Sequence, residues 1–166
     1  MKCSHSYSEA LAYARRIRKQ VGYNSRGLNV AALKFLGAGA DKQVYMLPCK
    51  QHVLKVGGHM RGWTSREIEA WRTLRQRKHY LLEYMAPVQR WSLRYNFMVQ
   101  TYCEPYDLDY SEIDKLEDLA EDFGIWDICI PNIGMLDGRL VIIDWGVLDM
   151  RKLHRSLRRD AKRMMS

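Results

Sequence analysis

The sequence predicts an α+β protein, with a small antiparallel sheet built from residues 28–103 and helices dominating thereafter. Three observations predict it. Short apolar runs at 30–36, 44–47, 52–56, 88–94 and 95–102 are separated by Gly, Pro and Asn, the pattern of strands joined by tight turns. Apolar residues at helical spacing recur over 6–21, 64–75, 111–124 and 147–164. Between the last two helices, Asp137-Gly138 divides two more apolar runs and predicts a two-residue hairpin.

Composition sets the outer limits. The chain has 166 residues, 47% of them hydrophobic and 11% aromatic, enough for a core within one domain or one domain of two small lobes. No apolar run approaches the ~18 residues that would span a bilayer, and the N-terminus lacks the unbroken apolar centre of a signal peptide. Cys3, Cys49, Cys103 and Cys129 show no Cys-x-x-Cys spacing, so neither a zinc site nor a disulfide framework is indicated. A reduced, cytoplasmic protein with no membrane partner is the expectation. The net charge of +8 is unevenly spread: residues 104–150 hold thirteen acids and two bases, whereas residues 151–166 hold seven bases and one acid. A basic excess attracts nucleic acid when it is concentrated in a patch. Dispersed as here it reads first as solvated surface, so nucleic acid is not the favoured partner.

In chain order, residues 6–21 read as an amphipathic helix. Ser6 and Glu9 fit a capping box; Leu11, Ala14, Ile17 and Val21 share a face opposite Arg15, Arg16, Arg18 and Lys19. Gly22–Gly27 is a breaker segment, so residues 1–27 form an N-terminal helical extension. The strand at 30–36 enters Gly37-Ala38-Gly39, whose glycines let backbone amides approach a phosphate, although such a pair also suits an ordinary turn. Val44–Leu47 and His52–Val56 follow as strands, the second carrying Lys55 on the face of Val53. A lysine there requires an acidic partner, a ligand phosphate or a sheet edge open to solvent. Thr64-Ser65 caps the next helix, in which Glu67 borders the apolar side formed by Ile68, Trp71 and Leu74. Glu67 can therefore lean toward the sheet and pair with Lys55, while Glu69 faces solvent.

Two further strands end at Cys103-Glu104-Pro105, a hinge where the charge changes sign. Ser111 and Asp114, with Ile113, Leu116, Leu119 and Ala120, argue a helix ending at Gly124. The last helix carries Leu153, Leu157, Ala161 and Met164 as a narrow stripe among seven bases. It reads as a closing helix whose charges complement the acidic segment, ahead of a nucleic-acid or membrane arm.

The hairpin is the most informative stretch. A type I′ turn at Asp137-Gly138 pairs Leu136 with Arg139, Met135 with Leu140, Gly134 with Val141, Ile133 with Ile142 and Asn132 with Ile143. That register delivers Asn132 and Asp144 to one open end, with Asp127 five residues before Asn132 and near enough to fold over it. Two carboxylates and an amide oxygen suit a hard cation such as Mg²⁺.

Taken in order, the glycine turn, strand lysine, helix glutamate, hinge, Asp-x₄-Asn and Asp-aromatic-Gly resemble the protein-kinase superfamily. Leu36–Gly39 with Val44-Tyr45 resembles the glycine-rich loop, Val53–Val56 the lysine strand, and Glu67 the helix glutamate. Asp127–Asn132 resembles the catalytic loop and Asp144-Trp145-Gly146 the Asp-Phe-Gly motif. The resemblance covers about residues 30–146. It implies a single kinase-like bilobal domain over 1–166: an N-lobe at 28–103 with the sheet and its helix, and a strongly reduced helical C-lobe at 104–166 ending in the basic helix. It also implies ATP and Mg²⁺ as cofactors. Gly37, Ala38, Gly39 and Val44 would border the nucleotide, and Lys55, held by Glu67, would contact the α/β-phosphates. Gln100 would stand at the back of the adenine pocket, with Thr101, Tyr102 and Cys103 offering backbone groups to the base. Asn132 and Asp144 would hold the metal, and Asp127 would act as catalytic base.

Several positions depart from the family pattern. Lys42 stands where a third glycine is usual, Ile125-Trp126 replaces His-Arg, and Cys129 replaces a cationic residue; twenty residues follow Gly146, with no Ala-Pro-Glu segment. The expected function is an ATP- and Mg²⁺-dependent phosphotransferase of minimal phage- or bacterial-type form, with protein Ser/Thr hydroxyls ranked first as acceptor. A small-molecule hydroxyl is the second enzyme reading. A catalytically silent, pseudokinase-like nucleotide-binding or interaction protein is the alternative from another class.

Overall fold

The computed structural model describes residues 6–20, 33–39, 42–57, 62–106, 110–126, 128–145 and 148–163. The helices are α1 (Tyr7–Gln20), α2 (Trp63–Gln76), α3 (Tyr110–Asp122) and α4 (Met150–Arg163). The strands are β1 (Lys34–Ala38), β2 (Lys42–Met46), β3 (His52–Gly57), β4 (Val88–Ser92), β5 (Phe97–Thr101), β6 (Glu104–Pro105), β7 (Ile133–Leu136) and β8 (Arg139–Ile142). The α+β class and small antiparallel sheet are as expected. The chain divides into two compact units, residues 1–68 with 86–102, and residues 69–85 with 103–166. Residues 69–85, assigned from sequence to the N-lobe, cluster with the second unit, so the boundary falls within α2.

The first unit is built on five antiparallel strands in the order β1-β2-β3-β5-β4. Period-two alternation sorts their side chains. Tyr45, Leu47, Leu54, Val56, Phe97 and Val99 join Ala10, Ala14 and Ile17 of α1 in one buried cluster. The predicted capping box starts that helix: the Ser6 N–H donates to Glu9 Oε2 at 2.6 Å and the Glu9 N–H to Ser6 Oγ at 3.2 Å. Arg15 donates to the Tyr95 hydroxyl at 2.7 Å and Arg18 to the Tyr95 carbonyl at 3.3 Å, tying α1 to the β4–β5 turn. The N-terminal helix thus packs on the sheet through its apolar stripe.

Two boundaries in this unit differ from expectation. β1 continues through Gly37-Ala38, with a register shift between Phe35 and Gly37, so the turn is shorter and closes with the Gly39 N–H on the Lys42 carbonyl at 2.9 Å. α2 begins at Trp63, with the Ser65 N–H on the Gly62 carbonyl at 3.2 Å. Thr64 and Ser65 therefore lie inside its first turn instead of capping it, and Ser65 Oγ donates to Asn96 Oδ1 at 3.3 Å. The expected breaker at Gly22–Gly27 and the start of the strand at Val30 lie outside the described residues, as does Val21.

The second unit contains a three-stranded sheet in the order β6-β7-β8, together with α3 and α4. α3 ends as predicted near Gly124, where φ is +79°. The Gly124 N–H bonds to the Glu121 carbonyl at 2.8 Å and the Ile125 N–H to the Ala120 carbonyl at 2.9 Å, a Schellman closure. α4 starts later than expected because Asp149 caps it, its Oδ1 accepting the N–H groups of Arg151 (2.8 Å) and Lys152 (3.1 Å). Its buried side is Leu153, Ser156 and Leu157; Ala161 is exposed, correcting the expected stripe, and Met164 lies outside the described residues. Ser156 Oγ donates to the Asp122 carbonyl at 2.6 Å, and Lys152 and Arg159 reach Glu121 and Asp122, each at 3.9 Å. α4 thus meets acidic α3 through Ser156 and through charges that complement it. No helix among the described residues is long and apolar enough to cross a membrane.

Candidate functional site

The first unit holds the lysine group. β3 lies between β2 and β5, and all six of its residues are buried. Lys55 is only 4% exposed, which removes the solvent-edge option and leaves an acidic partner or a ligand. Val44 pairs with Lys55, Val53 with Gln100 and Lys55 with Met98. Lys42, Val44, Lys55 and Gln100 therefore share the sheet face opposite α1. Fully buried Glu67 places Oε1 3.8 Å from Lys55 Nζ, the predicted pairing.

Glu67 has a nearer partner. Lys42 Nζ donates to the same Oε1 at 3.0 Å, and Lys42 is itself 9% exposed. From sequence, Lys42 stands out only as a departure from glycine. The signal that could have found it is alternation: Lys42 shares a face with Val44, and the β2–β3 register sets Val44 opposite Lys55. Burial of charges is favourable only when they are closely paired, so Glu67 anchors both lysines.

Among the described residues, a Cβ at Gly37 or Gly39 would meet nothing within 4 Å. Ala38 lies between them on β1. Gln100 is buried and donates through Nε2 to the Ala86 carbonyl at 3.2 Å. The Thr101 N–H bonds to the Pro87 carbonyl at 2.8 Å and the Tyr102 N–H to the Gln51 carbonyl at 2.9 Å. Both N–H groups are therefore already engaged within the fold. Cys103 is buried and belongs to the second unit.

The second unit holds the hairpin. Its register matches the sequence expectation at every pair from Ile133–Ile142 to Leu136–Arg139. Asp137 and Gly138 have φ of 51° and 76°, the two positive values a type I′ turn requires. The Asn132 carbonyl accepts from the Ile143 N–H at 2.8 Å and the Asp144 N–H at 3.4 Å, so Asn132 and Asp144 are adjacent at the hairpin's open end. A short 3₁₀ turn, Ile130–Asn132, precedes the strand, and Asn132 Nδ2 donates to Cys129 Sγ at 3.2 Å. Fully buried Trp145, next to Asp144, stacks on Trp71. Asp127 and Gly146 lie outside the described residues. Among the described residues no three His, Cys, Asp or Glu side chains cluster as a ready metal site; the hairpin sets the main chains of Asn132, which carries an amide, and Asp144, which carries a carboxylate, side by side. Amide and carboxylate oxygens are hard donors, the type that Mg²⁺ takes.

No family model matches the chain, and no curated protein matches it. Solved structures do. One is APH(2")-IIa in a ternary complex with streptomycin and ATP, at 25% sequence identity and a TM-score of 0.37. The match covers 66% of this chain and 33% of that one, so the chain spans about a third of that protein's length.

Proposed function

We propose that this chain is an ATP- and Mg²⁺-dependent phosphotransferase that moves the γ-phosphoryl group to a hydroxyl, with protein serine or threonine as the first acceptor to test. The observation that carries the reading is the hairpin register, which sets Asn132 beside Asp144 in a chain that also pairs Lys55 with Glu67. Lys55 offers its ammonium to the α/β-phosphates, and Glu67 fixes its position. Gly37, Ala38 and Gly39 border the nucleotide through their main chain, Val44 gives an apolar contact, and Gln100, Thr101 and Cys103 the surroundings of the base. Asn132, through its amide oxygen, and Asp144, through its carboxylate, are the residues that would hold Mg²⁺, which supplies neutralisation of phosphate charge when bound. Asp127 takes the proton of the attacking hydroxyl. Such chemistry is mainly positioning and charge neutralisation, so it demands this small set and little else.

A small-molecule acceptor is the second reading, favoured by the exposed acids Asp114, Glu117 and Asp118 on α3, which suit a cationic substrate. One experiment tests both. The chain and its Asp127→Asn variant are incubated with γ-labelled ATP, Mg²⁺ and a cell lysate. Label on protein supports the first reading and label on a small metabolite the second. Nucleotide-induced thermal stabilisation with no transfer above that of the variant would replace both with a silent binding protein.

A further inference from the structure

We propose that Lys42 is a second phosphate-binding lysine, forming with Lys55 a two-lysine anion site assembled on Glu67. The inference rests on the phosphotransferase reading and deepens it. Both ammonium groups approach one atom, Glu67 Oε1, at 3.0 Å and 3.8 Å. Both rise from the same sheet face, because Val44, two residues after Lys42, is the cross-strand partner of Lys55. Lys42 is also the residue that closes the glycine turn, its carbonyl accepting the Gly39 N–H at 2.9 Å. Main-chain groups of that turn and the Lys42 side chain are thus set by one short segment.

Lysine ammonium groups are compact and strongly hydrated, so burial removes solvation that some other group must replace. Two of them drawn to a single carboxylate oxygen also repel each other. A phosphate has several anionic oxygens and can engage two ammonium groups held side by side at once. Glu67 holds Lys42 through a hydrogen bond at 3.0 Å and Lys55 at 3.8 Å. With both lysines placed at the site, phosphate binding survives removal of Lys55 in part.

The test uses the whole chain and an acyl phosphate of ATP. A lysine amine held at the phosphates attacks the probe's carbonyl, forming an amide and releasing ATP, and the modified peptide is identified by mass spectrometry. We expect label on Lys42, alone or together with Lys55, that excess unlabelled ATP suppresses, and persistent Lys42 label in Lys55→Met. ATP-protected label confined to Lys55 overturns the proposal and leaves the phosphotransferase reading standing. Absence of protected label from both lysines also overturns it; thermal stabilisation by Mg²⁺ and ATP, measured in parallel, then shows whether the broader reading fails as well. If Lys55→Met does not fold, the wild-type labelling pattern decides alone.

Discussion

Trp145 stacks on Trp71 with ring centroids 6.2 Å apart and planes 18° from parallel. The residue that follows Asp144 is thereby locked into the core of the second unit by a side chain of α2. Trp145→Ala should cost about 3–5 kcal/mol, the usual range for truncating a buried aromatic. Combined with Trp71→Ala in a double-mutant cycle, it should show coupling of about 0.5–1.5 kcal/mol beyond simple burial. Urea denaturation of the four proteins measures this. Strict additivity would reduce the stack to two independent buried rings.

Asp144→Asn should weaken binding of Mg²⁺ with ATP at least about tenfold, or about 1.4 kcal/mol, because an amide replaces the hard anionic donor while the fold is kept. Asn132→Ala should also weaken it, since the hairpin sets the two residues side by side along the main chain. Titration calorimetry with and without Mg²⁺ separates metal from nucleotide. Unchanged affinity in Asp144→Asn would remove this residue from the site.

The hairpin turn depends on Gly138, whose φ of 76° disfavours any side chain. Gly138→Ala should cost about 1–2 kcal/mol, the penalty for a left-handed L-residue. Asp137→Asn should be nearly neutral, since Asn also tolerates a positive φ. Equal denaturation midpoints for Gly138→Ala and wild type would mean that the turn relaxes to another type, and with it the register that aligns Asn132 and Asp144.

Local chemistry explains what sequence made legible. Ser6 and Glu9 announced the start of α1, and Asp137-Gly138 fixed a hairpin register in which every later pairing follows by counting. The Lys55–Glu67 pairing was legible because strand alternation and helix periodicity each point one side chain at the other. What escaped depends on more than one element. Lys42 gains meaning only once β2 is laid against β3 and α2 against that face. Thr64-Ser65 resembled a cap, yet the Gly62 carbonyl already begins the helix. The assignment of 69–85 to the second unit is set by packing of groups distant in sequence, Trp71 on Trp145 among them, and no local pattern encodes it.

Asp149 gives a pH prediction with a definite sign. Its carboxylate is held below the ordinary value of 3.8 first by the hydrogen bond from the Lys152 N–H, with burial opposing and the Arg151 N–H, Arg155 and Arg151 assisting. A depressed carboxylate stabilises the fold above its unfolded pKa, and that contribution disappears as pH falls through the folded value. Asp149→Ala should therefore lower the melting temperature at neutral pH, with the gap to wild type closing in acid. Asp149→Asn retains an oxygen for the cap and should sit between them at neutral pH, without this acid-dependent step. Thermal melts from neutral pH down to below the ordinary carboxylate value read both effects. A gap that stays constant over that range would mean that Asp149 acts through packing and not through its charge on the start of α4.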